Sequence, residues 1–103
     1  MYIIVFVTAK NAAEANKIAT ALVAGKLAAC ANIINGVRSV FTWMGKTDRA
    51  EETLLVIKSR KTCFPKIAAM VKKLHSYDVP EIIAMPIVAG SEDYLKWIGE
   101  NCG

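Results

Sequence analysis

The residues best suited to chemistry lie in the stretch His75-Ser-Tyr-Asp-Val-Pro-Glu81. This stretch holds the only histidine of the chain, and its last carboxylate, Glu81, stands immediately before an apolar run. An imidazole near carboxylates can act as a base or can ligate a borderline divalent ion. We therefore expect any functional site to include this stretch.

These residue types fit metal binding better than they fit catalysis. His75, Glu81 and Asp78 offer nitrogen and oxygen donors, and Cys30 offers a thiolate for copper or zinc. The chain has no Cys-x-x-Cys motif and no spaced pair of histidines, so a closed four-ligand site within one chain is not expected. A weak site completed by a neighbouring subunit is one alternative. By base rate, Cys30 is a small buried core residue.

The sequence lacks the signatures of a hydrolase and of a nucleic-acid-binding domain. His75 is the only candidate base, and no Gly-x-Ser-x-Gly elbow is present, so we favour a helix-terminal histidine in a turn over catalysis. RNA-recognition domains carry aromatic residues on two central strands, whereas the predicted strand 53–58 has none. No glycine-rich loop precedes a helix. We expect no enzymatic activity and no nucleic-acid partner.

Composition predicts one self-associating domain over residues 1–103. Hydrophobic residues make up 54% of the chain and charged residues 21%, and so small a domain has little interior in which to bury them. No stretch approaches the roughly 20 apolar residues that span a bilayer, and no membrane association is expected. Three widely spaced cysteines suggest reduced thiols in a cytoplasmic protein.

The hydrophobic patterns predict strands and helices in the order βαββαβ, followed by a last helix. This order is the split βαβ of the ferredoxin-like α+β fold. The predicted helices begin at the Asn11 capping box, at Thr62 and Pro65, and at the Ser91 cap, and Gly25 ends the first helix in the left-handed conformation. The predicted strands are 2–8, 28–43 with a bulge at Asn35-Gly36, 53–58 and 79–88, and a turn is predicted at 45–51.

The last predicted strand has the properties of a sheet edge. Pro80 and Pro86 share parity, so their missing N–H groups fall on the same side of the strand. Because alternate residues of a strand share a face, Glu81 is predicted to lie on the same face as Ile83 and Met85. A carboxylate on such an apolar face needs a partner. Helices cover only one face of such a sheet, yet the first and last strands are apolar on both faces. We therefore expect another subunit to cover the second face.

Aromatic residues and charges near the predicted hairpin suggest a second kind of site. Trp43 and Tyr77, with Glu52 and Lys58 nearby, could line a cleft between subunits. A solvated hairpin with ordinary surface charges is an equally good interpretation.

The whole chain resembles the CutA family of divalent-cation tolerance proteins. The resemblance rests on Leu27-Ala-Ala-Cys-Ala-Asn32, Trp43-Met-Gly-Lys46, Glu52 six residues before Lys58, His75-Ser-Tyr-Asp-Val-Pro-Glu81 and Tyr94-Leu-Lys-Trp97. It implies a compact homotrimer, similar in architecture to the PII signalling proteins, and a response to divalent metals, most often copper. It implies no known reaction.

Some positions depart from the family pattern. Met44 and Ser76 stand where Glu and Pro are usual, and Asp78 replaces Glu. Val7 and Leu74 stand where some members carry a cysteine and a second histidine. The ligand set implied by the resemblance therefore shrinks to His75, and copper or another divalent cation is expected to bind only weakly.

The sequence thus predicts a cytoplasmic homotrimer that responds to metal through a cleft between subunits. In this hypothesis His75 is the imidazole ligand, Cys30 is a weak second ligand, and a cation, Lys58 or a metal, holds Glu81. The proposed cleft residues are Trp43, Glu52, Lys58, His75, Tyr77 and Glu81. Two alternatives stay open: a PII-like module that binds a small anionic metabolite, and a trimeric scaffold that anchors an unknown protein partner.

Overall fold

Four antiparallel strands form one sheet in the computed structural model, which describes residues 1–103. The sheet order is β2-β3-β1-β4, as in the ferredoxin-like fold, so the predicted order of elements is confirmed. A short 3-10 turn, Lys61–Cys63, leads into the second helix. The elements are β1 (Tyr2–Ala9), α1 (Ala12–Ala24), β2 (Cys30–Trp43), β3 (Lys46–Arg60), α2 (Phe64–Leu74), β4 (Ile82–Pro86) and α3 (Glu92–Asn101).

Alternate residues of the two central strands form the core beneath α1 and α2. Strand residues alternate between faces, and the odd-numbered residues of β1 and of the 53–59 part of β3 face the helices and are buried. Each buried Val, Leu or Ile stabilises the fold by roughly 1.5–3 kcal/mol. The core consists chiefly of Ile3, Val5, Val7, Leu55 and Ile57 from the sheet, Ala15, Ile18, Ala19 and Leu22 from α1, and Ile67 and Val71 from α2.

The ends of α1 differ in detail from the prediction. Asn11 caps the helix, accepting a 2.9 Å hydrogen bond from the Glu14 N–H. Gly25 has φ −81°, and it is Lys26 that takes the left-handed conformation, with φ 57°. The N–H groups of Lys26 and Leu27 bond back to Val23 and Leu22, the pattern of a Schellman motif with Lys26 at the left-handed position. The predicted role of Gly25 is therefore wrong.

The second face of the sheet, called here the open face, is apolar and uncovered by α1 and α2. It includes Ile34 of β2 and Ile83 and Met85 of β4, which are 46%, 53% and 44% exposed. The α3 helix reaches only one end of this face, where Gly99 lies against the Tyr2 hydroxyl. The prediction that both faces of the first and last strands are apolar is confirmed, and the subunit that covers the open face stays a prediction.

Strand β4 is an edge, as the prolines predicted. It pairs only with β1, and the Ile87 N–H donates a 2.9 Å hydrogen bond to the Tyr2 carbonyl. Pro86, one residue earlier, therefore turns its nitrogen to the free edge. The predicted length of 79–88 is wrong, because the flanking Val79 and Val88 pack against nothing and are almost fully exposed. Glu81 consequently lies outside the strand.

Beyond the sheet, residues 37–43 of β2 and 46–52 of β3 pair only with each other and form a projecting arm. The predicted turn at 45–51 is wrong. The chain reverses at Met44 and Gly45, whose φ values of 51° and 76° match the two-residue turn favoured in hairpins. Residues 46–51 are polar because this part of β3 lies outside the core. The prediction of a turn rests on that polarity alone.

A bulge joins the arm to the sheet, as predicted. Asn35 and Gly36 lie opposite the single residue Thr53, and Gly36 has φ 76°. An extra residue in one strand moves all later side chains to the opposite face. As a result, Val37, Phe41 and Trp43 share the open face with Ile34 despite their odd numbers. The arm therefore presents apolar residues of β2 on the same side as the open face, each next to a residue of β3 such as Glu52 or Asp48.

Candidate functional site

His75 forms the C-cap of α2 and is only 9% exposed. Its Nε2 lies 2.7 Å from the Thr8 carbonyl oxygen; because a carbonyl only accepts, Nε2 carries a proton and donates it. The Tyr77 N–H donates a 3.0 Å hydrogen bond to Nδ1, which fits the neutral tautomer. Both ring nitrogens are therefore engaged within the chain, and the histidine fastens the end of α2 to β1.

Glu14, from the first turn of α1, is the nearest charge to this histidine. Its Oε1 lies 3.2 Å from His75 Nδ1 and accepts a 3.4 Å hydrogen bond from the Ser76 N–H. The sequence indicated Glu14 only as part of a capping box. The split βαβ topology places the start of α1 and the end of α2 at the same end of the sheet, and this was the signal that could have paired Glu14 with His75.

Tyr77 connects His75 to a buried carboxylate. Its ring centroid lies 4.7 Å from that of the imidazole, and its hydroxyl donates a 3.1 Å hydrogen bond to Glu52 Oε2. Burial raises the pKa of Tyr77, and the hydrogen bond to Glu52 and the charges of Glu52 and Glu14 raise this pKa further. The phenol therefore remains a donor to Glu52, which is 8% exposed. We call Glu14, Glu52, His75 and Tyr77 the His75 network.

We expect the Tyr77→Phe substitution to cost about 1 kcal/mol at pH 7, because it leaves a buried carboxylate oxygen without its donor. The pKa of Tyr77 is raised in the folded state. Its contribution to stability is therefore complete below the unfolded pKa of 10 and is lost as pH rises through the folded pKa. Urea unfolding at several pH values should show the difference from wild type shrinking above pH 10.

Tyr2→Phe is the control for this measurement, because the Tyr2 hydroxyl makes no hydrogen bond within the chain. A Tyr77→Phe difference that grew at alkaline pH would contradict the assigned direction of the pKa shift.

Cys30 and Lys58 form a second group, on the open face. They are direct partners across β2 and β3, and Lys58 Nζ donates a hydrogen bond to Asn32 Oδ1. Tyr94 of α3 lies nearby, and its pKa is raised by burial and by the Cys30 thiol. Six residues separate Lys58 from Glu52 on β3, about 20 Å of extended strand. One chain therefore does not join this group to the His75 network.

Trp43 and Glu81 stand apart from both groups within one chain. Trp43 lies at the tip of the arm, opposite Lys46, and is 60% exposed. Glu81 is exposed and makes no ion pair or side-chain hydrogen bond, so the hypothesised contact with Lys58 is not formed within a single copy. Of the six predicted cleft residues, the structure brings together only Glu52, His75 and Tyr77.

No three His, Cys, Asp or Glu side chains in the chain are placed to hold a metal ion. Glu14 and His75 adjoin, but both His75 nitrogens already have partners, and Cys30 lies with Lys58 on the other side of the sheet. A single copy of the chain therefore offers no group of three such side chains for an ion.

The fold and the site together describe one class of protein: a small ferredoxin-like domain with a projecting arm and an apolar sheet face that its helices leave largely uncovered. The family described as CutA1 divalent ion tolerance protein matches residues 3–101. The chain belongs to this family, which confirms the resemblance drawn from its motifs.

Relatives with this family name share most of the chain. The divalent-cation tolerance protein CutA of Thermus thermophilus is 44% identical over 100 residues, covering 97% of both chains. The chloroplastic CutA of Arabidopsis thaliana is 45% identical over 96 residues, covering 93% of this chain but 53% of that protein. The present chain thus spans about half the length of that plant relative.

Solved structures agree with the fold along its full length. The Thermus thermophilus protein superposes with a TM-score of 0.98 at 44% identity, covering 100% of both chains. The periplasmic divalent cation tolerance protein CutA of Archaeoglobus fulgidus gives a TM-score of 0.95 at 40% identity, covering 98% of both chains. None of the three helices of the present chain is long and apolar enough to cross a membrane.

Proposed function

We propose that this CutA-family chain acts in the response to divalent cations as a homotrimer that binds an ion weakly between its subunits. The observation that carries the proposal is the open face, where the exposed apolar residues Ile34, Ile83 and Met85 of the sheet share a side with Val37, Phe41 and Trp43 of the arm. Contiguous exposed apolar surfaces of this kind mark protein–protein contacts. An isolated two-stranded hairpin is at best marginally stable in water, so the arm also needs a surface to pack against.

A second copy of the chain is the simplest cover for this surface. In a closed ring, each copy presents its open face to the next, and each arm extends along a neighbour. Three copies is the number implied by the family resemblance, with the compact architecture of the PII proteins. The proposed cleft then forms where the arm tip carrying Trp43 reaches the His75 network or the Lys58 group of another copy.

Weak binding follows from the way His75 is held. To ligate an ion through Nδ1, the imidazole must give up the hydrogen bond from the Tyr77 N–H. Such a hydrogen bond contributes about 1 kcal/mol, which offsets part of the ligation energy. Since no single chain supplies three ligands, the remaining ligands would come from another copy, with Cys30 and Glu81 as candidates for copper or a similar ion.

Two measurements test the proposal. Sedimentation at micromolar concentration should give about three times the chain mass of 11.2 kDa. Zinc or copper should raise the melting temperature of wild type, and this stabilisation should fall in His75→Gln and disappear with chelator. Glutamine is the matched variant because its amide N–H can replace Nε2–H toward the Thr8 carbonyl but offers no Nδ1. A well-folded monomer, or equal stabilisation of the Gln variant, would contradict the proposal.

An anion-binding role, as in PII-like signalling modules, is the second candidate function. Lys58 favours it: this cation on the open face makes no ion pair, and its hydrogen-bond partner is the neutral Asn32. Small anionic metabolites screened by thermal shift with chelator present should then stabilise wild type but not Lys58→Met. The scaffold alternative would instead show as capture of a protein that depends on the arm tip.

We infer that the chain acts by binding and assembly and not by catalysis, because the only histidine has both nitrogens engaged in fastening α2 to β1. The three free cysteines support a reducing compartment such as the cytoplasm.

A further inference from the structure

Lysine side chains are concentrated in the layer that α1 and α2 form over the sheet. We call residues 12–27 and 61–74 the helix layer. It carries six of the thirteen cationic side chains of the chain but only one of the nine acidic ones, Glu14, whereas the remainder of the chain carries seven cations and eight acids. The helix layer is therefore strongly basic, although the net charge of the whole chain is only +4. Its cations are Lys17, Lys26, Lys61, Lys66, Lys72 and Lys73.

The charges of these six lysines are not compensated within the chain. All six side chains are exposed, and the one lysine hydrogen bond of the structure is that of Lys58, outside the layer. The one ion pair of the structure joins Glu14 to His75, and the Glu14 side chain is only 8% exposed. The single acid of the helix layer therefore faces inward, while its cations face solvent.

The outer side of the helix layer is broad and has little apolar surface. The buried residues of α1 and α2 face the sheet in one shared core, so the opposite sides of both helices face away from it. At 1.5 Å per residue the two helices are about 20 Å and 16 Å long, and packed helices lie about 10 Å apart. Small exposed residues separate the lysines on this side: Ala13, Asn16, Thr20, Ala24 and Ala69.

We propose that the helix layer docks the chain on anionic lipid surfaces. Clusters of about four to eight basic residues bind anionic headgroups such as phosphatidylserine. The contact is peripheral and reversible, because Val23 is the only large apolar side chain that the layer exposes and nothing inserts into the bilayer. The sequence prediction of no membrane association considered only spanning stretches, which a peripheral contact does not need.

This proposal goes beyond the proposed function, because it uses the side of the sheet that faces away from the open face. It requires neither the trimer nor a bound ion.

The composition of the helix layer favours lipid over the other anionic partners. All of its cations are lysines, whereas nucleic-acid recognition favours the planar fork of arginine, and Arg38, Arg49 and Arg60 lie outside the layer. No aromatic side chain of the layer is exposed, so none can stack on bases. Protein interfaces are enriched in aromatic residues and arginine and depleted in lysine. A lipid surface requires only positive charge at close range, which the layer supplies.

The test is co-sedimentation of the full chain with phosphatidylcholine vesicles that contain one-third phosphatidylserine. Wild type should bind at about 0.1 M salt and dissociate at about 1 M, because the Debye length falls from about 10 Å to about 3 Å. Vesicles of phosphatidylcholine alone should bind no protein. Failure to bind the anionic vesicles, or binding that persists at high salt, would overturn the proposal.

The triple variant Lys66→Gln, Lys72→Gln, Lys73→Gln removes three charges from α2 and should bind the anionic vesicles roughly 100-fold more weakly. Each lysine near an anionic surface contributes about fivefold in affinity. The three side chains are exposed, so the fold should be kept. Unchanged binding by this variant would overturn the helix layer as the docking surface.

The matched control is Lys46→Gln, Arg49→Gln, Lys96→Gln, three exposed residues of the arm and α3. The control chain has the same net charge as the α2 variant but an intact helix layer, and it should bind as wild type does. An equal loss in both variants would show that net charge acts and not the layer, which would overturn the proposal.

A short DNA duplex, added at a phosphate concentration equal to that of the lipid, distinguishes the two polyanions. It should leave the chain on the vesicles. A duplex that removed the chain from the vesicles, through the same three lysines of α2, would overturn the assignment to lipid.

Discussion

A chain carrying both Ile83→Asp and Met85→Asp is expected to sediment as single copies at concentrations where wild type sediments as a trimer. The two side chains lie on the open face of β4 and are about half exposed in the isolated chain. Aspartate at these positions is solvated in the monomer, so the sheet should keep its fold. In the assembly, two carboxylates would have to enter an apolar contact without partners, which costs several kcal/mol each. This cost in binding free energy is larger than the remaining contacts of a small interface can offset.

The control for this substitution lies on the helix side of the same molecule. Lys66→Asp and Lys73→Asp change charge by more, yet both lysines are exposed on α2, away from the open face. This control chain should remain a trimer. If the control also dissociated, or if the β4 variant kept the wild-type mass, the open face would not be the surface of assembly.

His75→Ala is expected to lower the free energy of unfolding by about 3 kcal/mol, the largest loss for any one residue of the His75 network. Removing the imidazole leaves the Thr8 carbonyl and the Tyr77 N–H without partners, at roughly 1–3 kcal/mol for each group that stays buried. A small cavity adds to this loss. Urea unfolding at one fixed protein concentration is the appropriate measurement, because the proposed assembly would make apparent stability depend on concentration.

Partial rescue distinguishes the hydrogen bonds from packing. His75→Gln can restore the bond to the Thr8 carbonyl and should recover about 1 kcal/mol of the loss. His75→Leu fills space without polar groups and should recover little. Equal stability of the Gln and Leu variants would show that the histidine acts by volume and not by fastening α2 to β1.

Local signals in the sequence predicted the fold because each element agreed with its neighbours. The Asn11 and Ser91 caps, the Asn35-Gly36 bulge and the edge position of the last strand were all readable from residue types and parity. The predictions failed where the chain leaves the core. Residues 46–52 pair without any hydrophobic pattern, and Val79 and Val88 are apolar without packing against anything.

The candidate site was predictable only in part, because its contacts cross between elements. His75, Tyr77 and Glu52 were singled out individually, but their connection through hydrogen bonds depends on how α2 meets β1 and β3. Glu14 was assigned to a local cap, and only the folded chain shows its carboxylate beside the imidazole.

The bulge at Asn35 and Gly36 sets which way the side chains of the arm point, and this limits how the length of the arm can change. Lengthening both strands by one residue would keep every backbone pair but would turn Phe41 and Trp43 toward the opposite side. Lengthening both by two residues restores their direction, and each such step adds about 7 Å. Changes in arm length that preserve the direction of Phe41 and Trp43 therefore come in steps of two residue pairs. An insertion of odd length would leave the subunit folded but would turn these side chains away from the neighbour in the proposed trimer.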